Sequence, residues 1–402
     1  MSVSSLHFFF LLGSTPELSW AELESSLPES CQLTRVNQTV AGVTQLPQDH
    51  TATQVIDKLG GTVKIAELRQ VLEQSEADVI TAAIVTQLQA TTGRIEFSLA
   101  EWGRDHLPKL DPQEIKQQLV AAGCSARYRE SSRIGITAAV LLNTPDWNEM
   151  VVVNGDDEVF IAQSVAVQDI DQWQIADRGK PFAQHQRGLL PPKVARAMVN
   201  LALGTAIFET EDANTTTLWD PFCGSGTILF EGALQGVSQL YGSDLDQESI
   251  AGTEQNWAWF QPTLADRVPE STQLTSFAAD ATNIEHPPFA SNSISTIVTE
   301  PFLGKQTPNP KQIPNIQSGL ERMYRGAFKA WRPWLQPGAK IVIVIPKWQT
   351  RQTHKTHEFN LHKLIDFLEP IGYTTTSEPI VYARPHAEVI REIWQFQFRP
   401  TK

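Results

Sequence analysis

The stretch "LWDPFCGSGTILFEGAL", residues 218–234, constrains this chain's architecture more than any other. A short apolar strand runs to Asp220, and a helical pattern begins at Thr227. Between them, Cys223-Gly224-Ser225-Gly226 lets the backbone turn tightly and approach a ligand closely, with the first helical amides aimed at it. The pattern then becomes regular. Apolar strands are expected at Leu218–Phe222, Gln239–Leu245, Leu274–Ala279, Ile294–Thr299 and Lys340–Ile345. They alternate with helical segments at Thr227–Gln235, Gln247–Trp257 and Gln317–Leu335. Such alternation predicts an α/β fold with a parallel, doubly wound sheet. The closing pieces "EPIVYARP" and "REIWQFQF" suit an antiparallel edge.

The glycine loop selects among ligands. A dinucleotide fingerprint needs a glycine where Leu229 stands, and a Walker loop needs Gly-Lys-Ser/Thr. The unit strand–Asp-Pro-Phe-x-Gly-Ser-Gly-Thr–helix instead matches S-adenosylmethionine (SAM) sites. Its expected contacts are Asp220, Phe222, Gly224, Ser225, Gly226 and Thr227. Asp244, in "YGSDLD", ends the second strand, where a carboxylate can accept both ribose hydroxyls. Asp246 competes for that role, and helix capping is the plain alternative for either. Asp280 and Ala281, in "FAADATNI", follow the third strand. There Asp280 is placed for the adenine amino group or, more plainly, for a turn.

The fourth strand ends in "TEPFLGK", residues 299–305. Enzymes that methylate exocyclic amines often carry Asp/Asn-Pro-Pro-Tyr/Phe at this place. Such an amine is a poor nucleophile, because its lone pair delocalises into the ring. Acceptors for its N–H groups stabilise the charge that develops on nitrogen. Glu300 and the Pro301 carbonyl are the candidate acceptors, and Phe302 is the candidate stacking ring. A second register would put Thr299 at the acid position. The loop "GKQTPNPKQIPN" that follows is a substrate loop or a plain surface loop.

The remaining chain is long enough for further domains, since 402 residues exceed one ordinary core. A strand at Leu6–Leu12 precedes a helix capped by Ser14 or Thr15, with Pro16 in its first turn. Helices are expected at Thr62–Glu73 and Glu76–Gln89. A strand in "GRIEFSLAEWG" and a helix in "DPQEIKQQLVAAG" follow. "CSARYRESSRIG" then carries Arg127, Arg129 and Arg133, ahead of two strands in "EMVVVNGDDEVFIAQSVAVQ". A polar, basic connector leads to a helix at Pro191-Pro192, with Val194, Met198, Leu201 and Ala202 on one face.

Net charge is −13, which taken alone disfavours a nucleic-acid partner. Its distribution reopens the question, because residues 205–300 hold a single basic side chain, Arg267, while residues 301–402 are net basic. The three cysteines show no Cys-x-x-Cys spacing, which fits a reducing cytoplasm. His354, His357 and His362 lack partners at ligand spacing, so no metal is expected. The apolar run "LHFFFLLG" reads as a buried strand, and nothing approaches the ~20 apolar residues of a membrane span.

The whole chain resembles the tRNA (guanine-10-N2)-methyltransferase family. The resemblance rests on "FFFLLGSTPELSWAEL", "DRGKPFAQHQRGLLPPKVARAMVNLA", "DPFCGSGTILFEGAL" and "VYARPHAEVIREIW". It implies a ferredoxin-like domain at 1–90, an RNA-binding THUMP domain at 91–176 and a Rossmann-like SAM-dependent methyltransferase domain at 177–402. It further implies transfer of a methyl group to the N2 amine of a guanosine in tRNA, with position 10 the expected target. The THUMP domain would grip the tRNA acceptor end. Pro191 and Lys193 would help cover the cofactor. A cytoplasmic monomer or weak oligomer is expected, with a small activator subunit as a further candidate partner. The chain departs from the family at Glu300–Leu303, where the pattern is Asp-Pro-Pro-Tyr. A DNA amino-methyltransferase and a SAM-retaining RNA-binding protein are the alternative readings.

Overall fold

The structure, a computed structural model, describes residues 5–103, 108–144, 147–155, 158–183, 189–209, 215–304, 310–349, 356–357, 359, 361–384 and 387–400. It divides into two compact units, Met1–Trp173 and Gln174–Lys402. Among the described residues, no helix is long and apolar enough to cross a membrane.

The first unit is built on one sheet. Its strands are β1 (Phe8–Leu12), β2 (Leu33–Asn37), β3 (Val40–Val43), β4 (Thr62–Leu72), β5 (Ile95–Trp102), β6 (Ala126–Tyr128), β7 (Trp147–Asn154) and β8 (Val159–Val167). They lie in the order β2-β3-β1-β4-β8-β7-β5-β6. The antiparallel β4–β8 ladder joins strands from 1–90 and 91–176, expected as two small domains, in one sheet, and the compact unit that holds it ends at Trp173.

Strand β4 corrects an expectation. Thr62–Glu73 reads locally as a helix because of its Ala-Glu-Leu-Arg-Gln centre, yet Thr62–Leu72 is an 11-residue strand. It pairs with β1 on one side and β8 on the other. Two ladders and the β-branched Thr62, Val63, Ile65 and Val71 outweigh a weak helical propensity. The helix Pro16–Ser26 starts after Thr15 as expected, but neither candidate cap supplies a side-chain capping bond.

A buried ion pair crosses this sheet. Lys64 on β4 donates to both carboxylate oxygens of Glu149 on β7, at 2.9 and 2.8 Å. Glu149 also accepts from the Ile136 amide at 2.6 Å and from the Ser164 hydroxyl. Lys64 donates further to the Ile136 carbonyl at 2.8 Å. Both side chains are shut off from solvent, and burial pushes the Lys64 ammonium below its usual range against the pull of Glu149.

The second unit holds β9 (Thr217–Asp220), β10 (Gln239–Asp244), β11 (Gln273–Ala278), β12 (Ile294–Thr299), β13 (Leu335–Gln349), β14 (Thr356–His357), β15 (Tyr373–Thr375), β16 (Ile380–Tyr382) and β17 (Val389–Phe398). The main order is β11-β10-β9-β12-β13-β17-β15. β11 to β13 run parallel along that order, while β17 is antiparallel to β13. The two closing pieces form the antiparallel margin of the sheet: β17 pairs with β13, and β15 and β16 pair with its other side. The connections reverse direction between β9 and β12. Open α/β sheets bind ligands at such a point, beyond the carboxyl ends of the strands.

The helix Pro192–Leu203 leads into β9, and Thr227–Leu234, Gln247–Thr263 and Ile313–Trp331 connect the parallel strands that follow. Pro192–Leu203 is buried at every position except Lys193, not on one face alone. Trp331 is fully buried and packs edge-on to Trp219. Trp257 stacks on Phe230, so the tryptophans here serve the core. Arg196 and Glu231 form a second buried ion pair at 2.7 Å, joining Pro192–Leu203 to Thr227–Leu234.

Candidate active site

Three chain turns meet at the carboxyl ends of β9, β10 and β12. After β9, Gly224 and Gly226 take φ of +53° and +85°, a region that favours glycine. A Cβ on Gly226 would stand 2.6 Å from the Phe230 ring, whereas one on Gly224 would meet nothing within 4 Å. Gly224 therefore faces open space at the ligand side. Its amide donates to Asp244 Oδ2 at 3.0 Å, and the Asp246 amide donates to Asp244 Oδ1 at 2.9 Å. Asp244 thus ties the end of β10 to the glycine loop. Asp246 caps the helix Gln247–Thr263, accepting from the Glu248 amide, and lines the same cavity as Asp244.

Asp220 is 1% exposed. Its Oδ1 accepts from the Thr299 hydroxyl at 2.6 Å and from the Phe222 amide at 3.1 Å. Burial pushes its carboxyl up to about 7 despite these donors, and the charges of Asp244 and Glu300 add to the rise. Asp280 holds a turn, accepting from the Thr282 amide and hydroxyl at 2.8 Å each on one oxygen.

A cavity of about 870 Å³ opens among these groups. Of the residues expected from sequence, Asp220, Phe222, Gly224, Ser225, Thr227, Asp244, Asp280, Ala281, Glu300, Pro301 and Phe302 line it. Gly226 and Pro191 do not. Gly226 turns the backbone into the helix Thr227–Leu234, and Pro191 precedes the helix Pro192–Leu203 at its cap. Leu189 and Leu190 reach the cavity in its place. Of the two motif registers, the structure puts Glu300 on the wall, while Thr299 is buried and spends its hydroxyl on Asp220. Phe302 is 63% exposed on that wall. Lys305 and the loop at 305–309 lie outside the described residues.

Several wall residues escaped the sequence reading. Leu245, Met323, Arg384, Glu388 and Arg391 also line the cavity. Arg391 Nε donates to Glu300 Oε1. Burial drives the Glu300 carboxyl up, and Arg391 first and Arg384 next pull it back. The quoted stretch "VYARPHAEVIREIW" contains both arginines, but nothing in its spacing joins them to Glu300. Lys180, in the connector without clear periodicity, donates to Thr227 Oγ1 at 2.6 Å. Burial pulls its ammonium down to about 8, against the charges of Glu231 and Asp177. It braces the first turn of the helix that follows the glycine loop.

Residues 181–362 match a family described as RMKL-like, methyltransferase domain. Among curated relatives, a tRNA (guanine(10)-N2)-dimethyltransferase from Pyrococcus abyssi is 31% identical over 150 residues, 37% of this chain and 38% of that protein. An enzyme of the same name from Methanothermobacter thermautotrophicus is 25% identical over 318 residues, 78% of this chain and 80% of that protein. The chain thus spans about two fifths of the first relative's length and four fifths of the second's. Among solved structures, TrmN from Thermus thermophilus superposes with a TM-score of 0.54 at 16% identity, over 98% of this chain and 100% of that one. A putative methyltransferase, SMU.472, solved with S-adenosylhomocysteine gives 0.50 at 9% identity, over 99% and 98%. These likenesses show an α/β methyltransferase fold.

Proposed function

From a chain that resembles the tRNA (guanine-10-N2)-methyltransferase family, we propose a SAM-dependent methyltransferase that acts on the N2 amine of a guanosine in tRNA. One observation carries the reading. Glu300, Pro301 and Phe302 line the same cavity as the glycine loop, Asp220, Asp244 and Asp280. The open space beside Gly224 and the acidic wall fit SAM, which carries an ammonium and a sulfonium. SAM supplies an electrophilic methyl group. Asp220 and the loop amides hold its charged amino-acid end, Asp244 its ribose, and the free oxygen of Asp280 its adenine amine. Glu300 and the Pro301 carbonyl accept the N–H groups of the guanine amine, and Phe302 stacks on the base. Residues 91–176 supply a THUMP-type grip on tRNA, and the protein works in the cytoplasm.

The Asp220 carboxyl gives a pH signature. With its midpoint pushed up to about 7, much of it carries a proton in the free protein below that pH. A cation beside it favours the ionised form, so SAM binding releases that proton. Affinity rises with pH up to about pH 7 and levels off about one unit above, with a slope approaching tenfold per pH unit on the acid side. Titration calorimetry in buffers of different ionisation enthalpy measures this. A flat affinity with no proton release would remove Asp220 from the ammonium.

The reading itself is tested by incubating the purified protein with labelled SAM and total tRNA, then identifying the labelled nucleoside. N2-methylguanosine is the expected product.

A further inference from the structure

The acid of the motif is a glutamate, one methylene longer than the family's aspartate, and the structure shows what takes up the extra reach. Arg391 sits on β17, opposite Pro346 of β13, while Thr299 at the end of β12 pairs with Ile343 of β13. Arg391 therefore stands past the carboxyl end of β12 and reaches back over β13 to Glu300. Its Nε binds Glu300 Oε1, with the two side chains 12% and 13% exposed. Glu392, the next residue, pairs with Lys347 instead. Oε1 is thereby occupied, and Glu300 remains on the cavity wall beside Pro301 and Phe302.

We propose that Arg391 is the positioning residue of the acceptor site: it anchors one oxygen of Glu300, turns the other toward the amine, and keeps the carboxylate charged. The proposal rests on the reading of Glu300 as the amine's acceptor. The groups facing Glu300 are Arg391 from β17, Arg384 ahead of that strand, Asp220 from β9 and the Tyr324 hydroxyl from the helix Ile313–Trp331. Glu388 shares the wall. Asp220 is acidic, and the Glu300 charge opposes its ionisation. Tyr324 is buried and donates to the Val344 carbonyl at 3.3 Å. Among the described residues, the two arginines favour the carboxylate. A buried carboxyl without a cation takes up a proton. Once protonated it loses acceptor capacity just where the amine needs it.

The test compares the wild type with Arg391→Gln and Arg391→Lys. In Arg391→Gln, kcat on tRNA at neutral pH falls on the order of tenfold or more, while the KM for SAM changes less than about threefold. The acid limb of its pH–rate profile moves to higher pH, because the carboxyl holds its proton longer. Arg391→Lys, which keeps the charge, restores the position of the limb. A wild-type kcat and limb in Arg391→Gln would overturn the proposal. So would an equal loss at every pH accompanied by lost SAM affinity, which marks a merely structural role. The Glu300 carboxyl can also be followed without turnover, as the 13C resonance missing in Glu300→Gln. It should titrate at higher pH in Arg391→Gln than in the wild type, and an unchanged titration overturns the role of Arg391. A wild type that methylates no RNA refutes the function proposed above and leaves that resonance to decide the matter of Arg391.

Discussion

Glu300→Ala is expected to lower methyl transfer by about 10²- to 10⁴-fold and to leave SAM affinity nearly unchanged. The asymmetry follows from the wall. The groups assigned to the cofactor belong to β9, the glycine loop, β10 and the turn at Asp280, whereas Glu300 ends β12. Removing its carboxylate takes away an acceptor that matters most as charge builds on the amine nitrogen. It also frees Arg391, whose guanidinium then stands unpaired beside a site that must stabilise positive charge. Single-turnover transfer and calorimetric SAM binding on the same preparation separate the two effects. A variant that loses neither would show that the acceptor has been misplaced.

The largest effect on stability is expected at Lys64. Lys64→Met leaves the Glu149 carboxyl buried without its cation, with the Ile136 amide and Ser164 hydroxyl as hydrogen-bond partners. Removing one member of such a pair costs about 3–5 kcal/mol. The double variant Lys64→Met/Glu149→Leu should recover most of that loss, because desolvation of the pair offsets much of its attraction. Chemical denaturation of the full chain, read on the transition of residues 1–173, measures both. A loss below about 1 kcal/mol for Lys64→Met would mean that water or a shifted loop reaches Glu149.

Local pattern carried much of this molecule. The strand at Ile294–Thr299 lies where its apolar run begins and ends. The glycine loop, Asp220 and Asp244 meet in one cavity because each ends a parallel strand on the same edge, a consequence of topology that alternation alone announces. Thr62–Leu72 failed because its fate is set by two partner strands far away in sequence. The same cause hid Arg391, which meets Glu300 across 91 residues. Lys180 was hidden by a segment with no periodicity to read. Gly226 belongs to the glycine loop and Pro191 to the stretch that carries the family resemblance, yet neither lines the cavity: a left-handed turn and a helix cap use them. The exchange of Asp-Pro-Pro-Tyr for Glu300-Pro301-Phe302-Leu303 looks like damage in one dimension. In three, a strand that follows it by some ninety residues supplies the arginine that holds the longer acid.

The most direct test is transfer itself. Purified protein is given labelled SAM with tRNA or with DNA, and the methylated base is identified and mapped. Label on the N2 of a guanosine in tRNA, with DNA left unmarked, is the expected result. Tight SAM binding with no transfer to any RNA, or label on an amine of DNA, would contradict it.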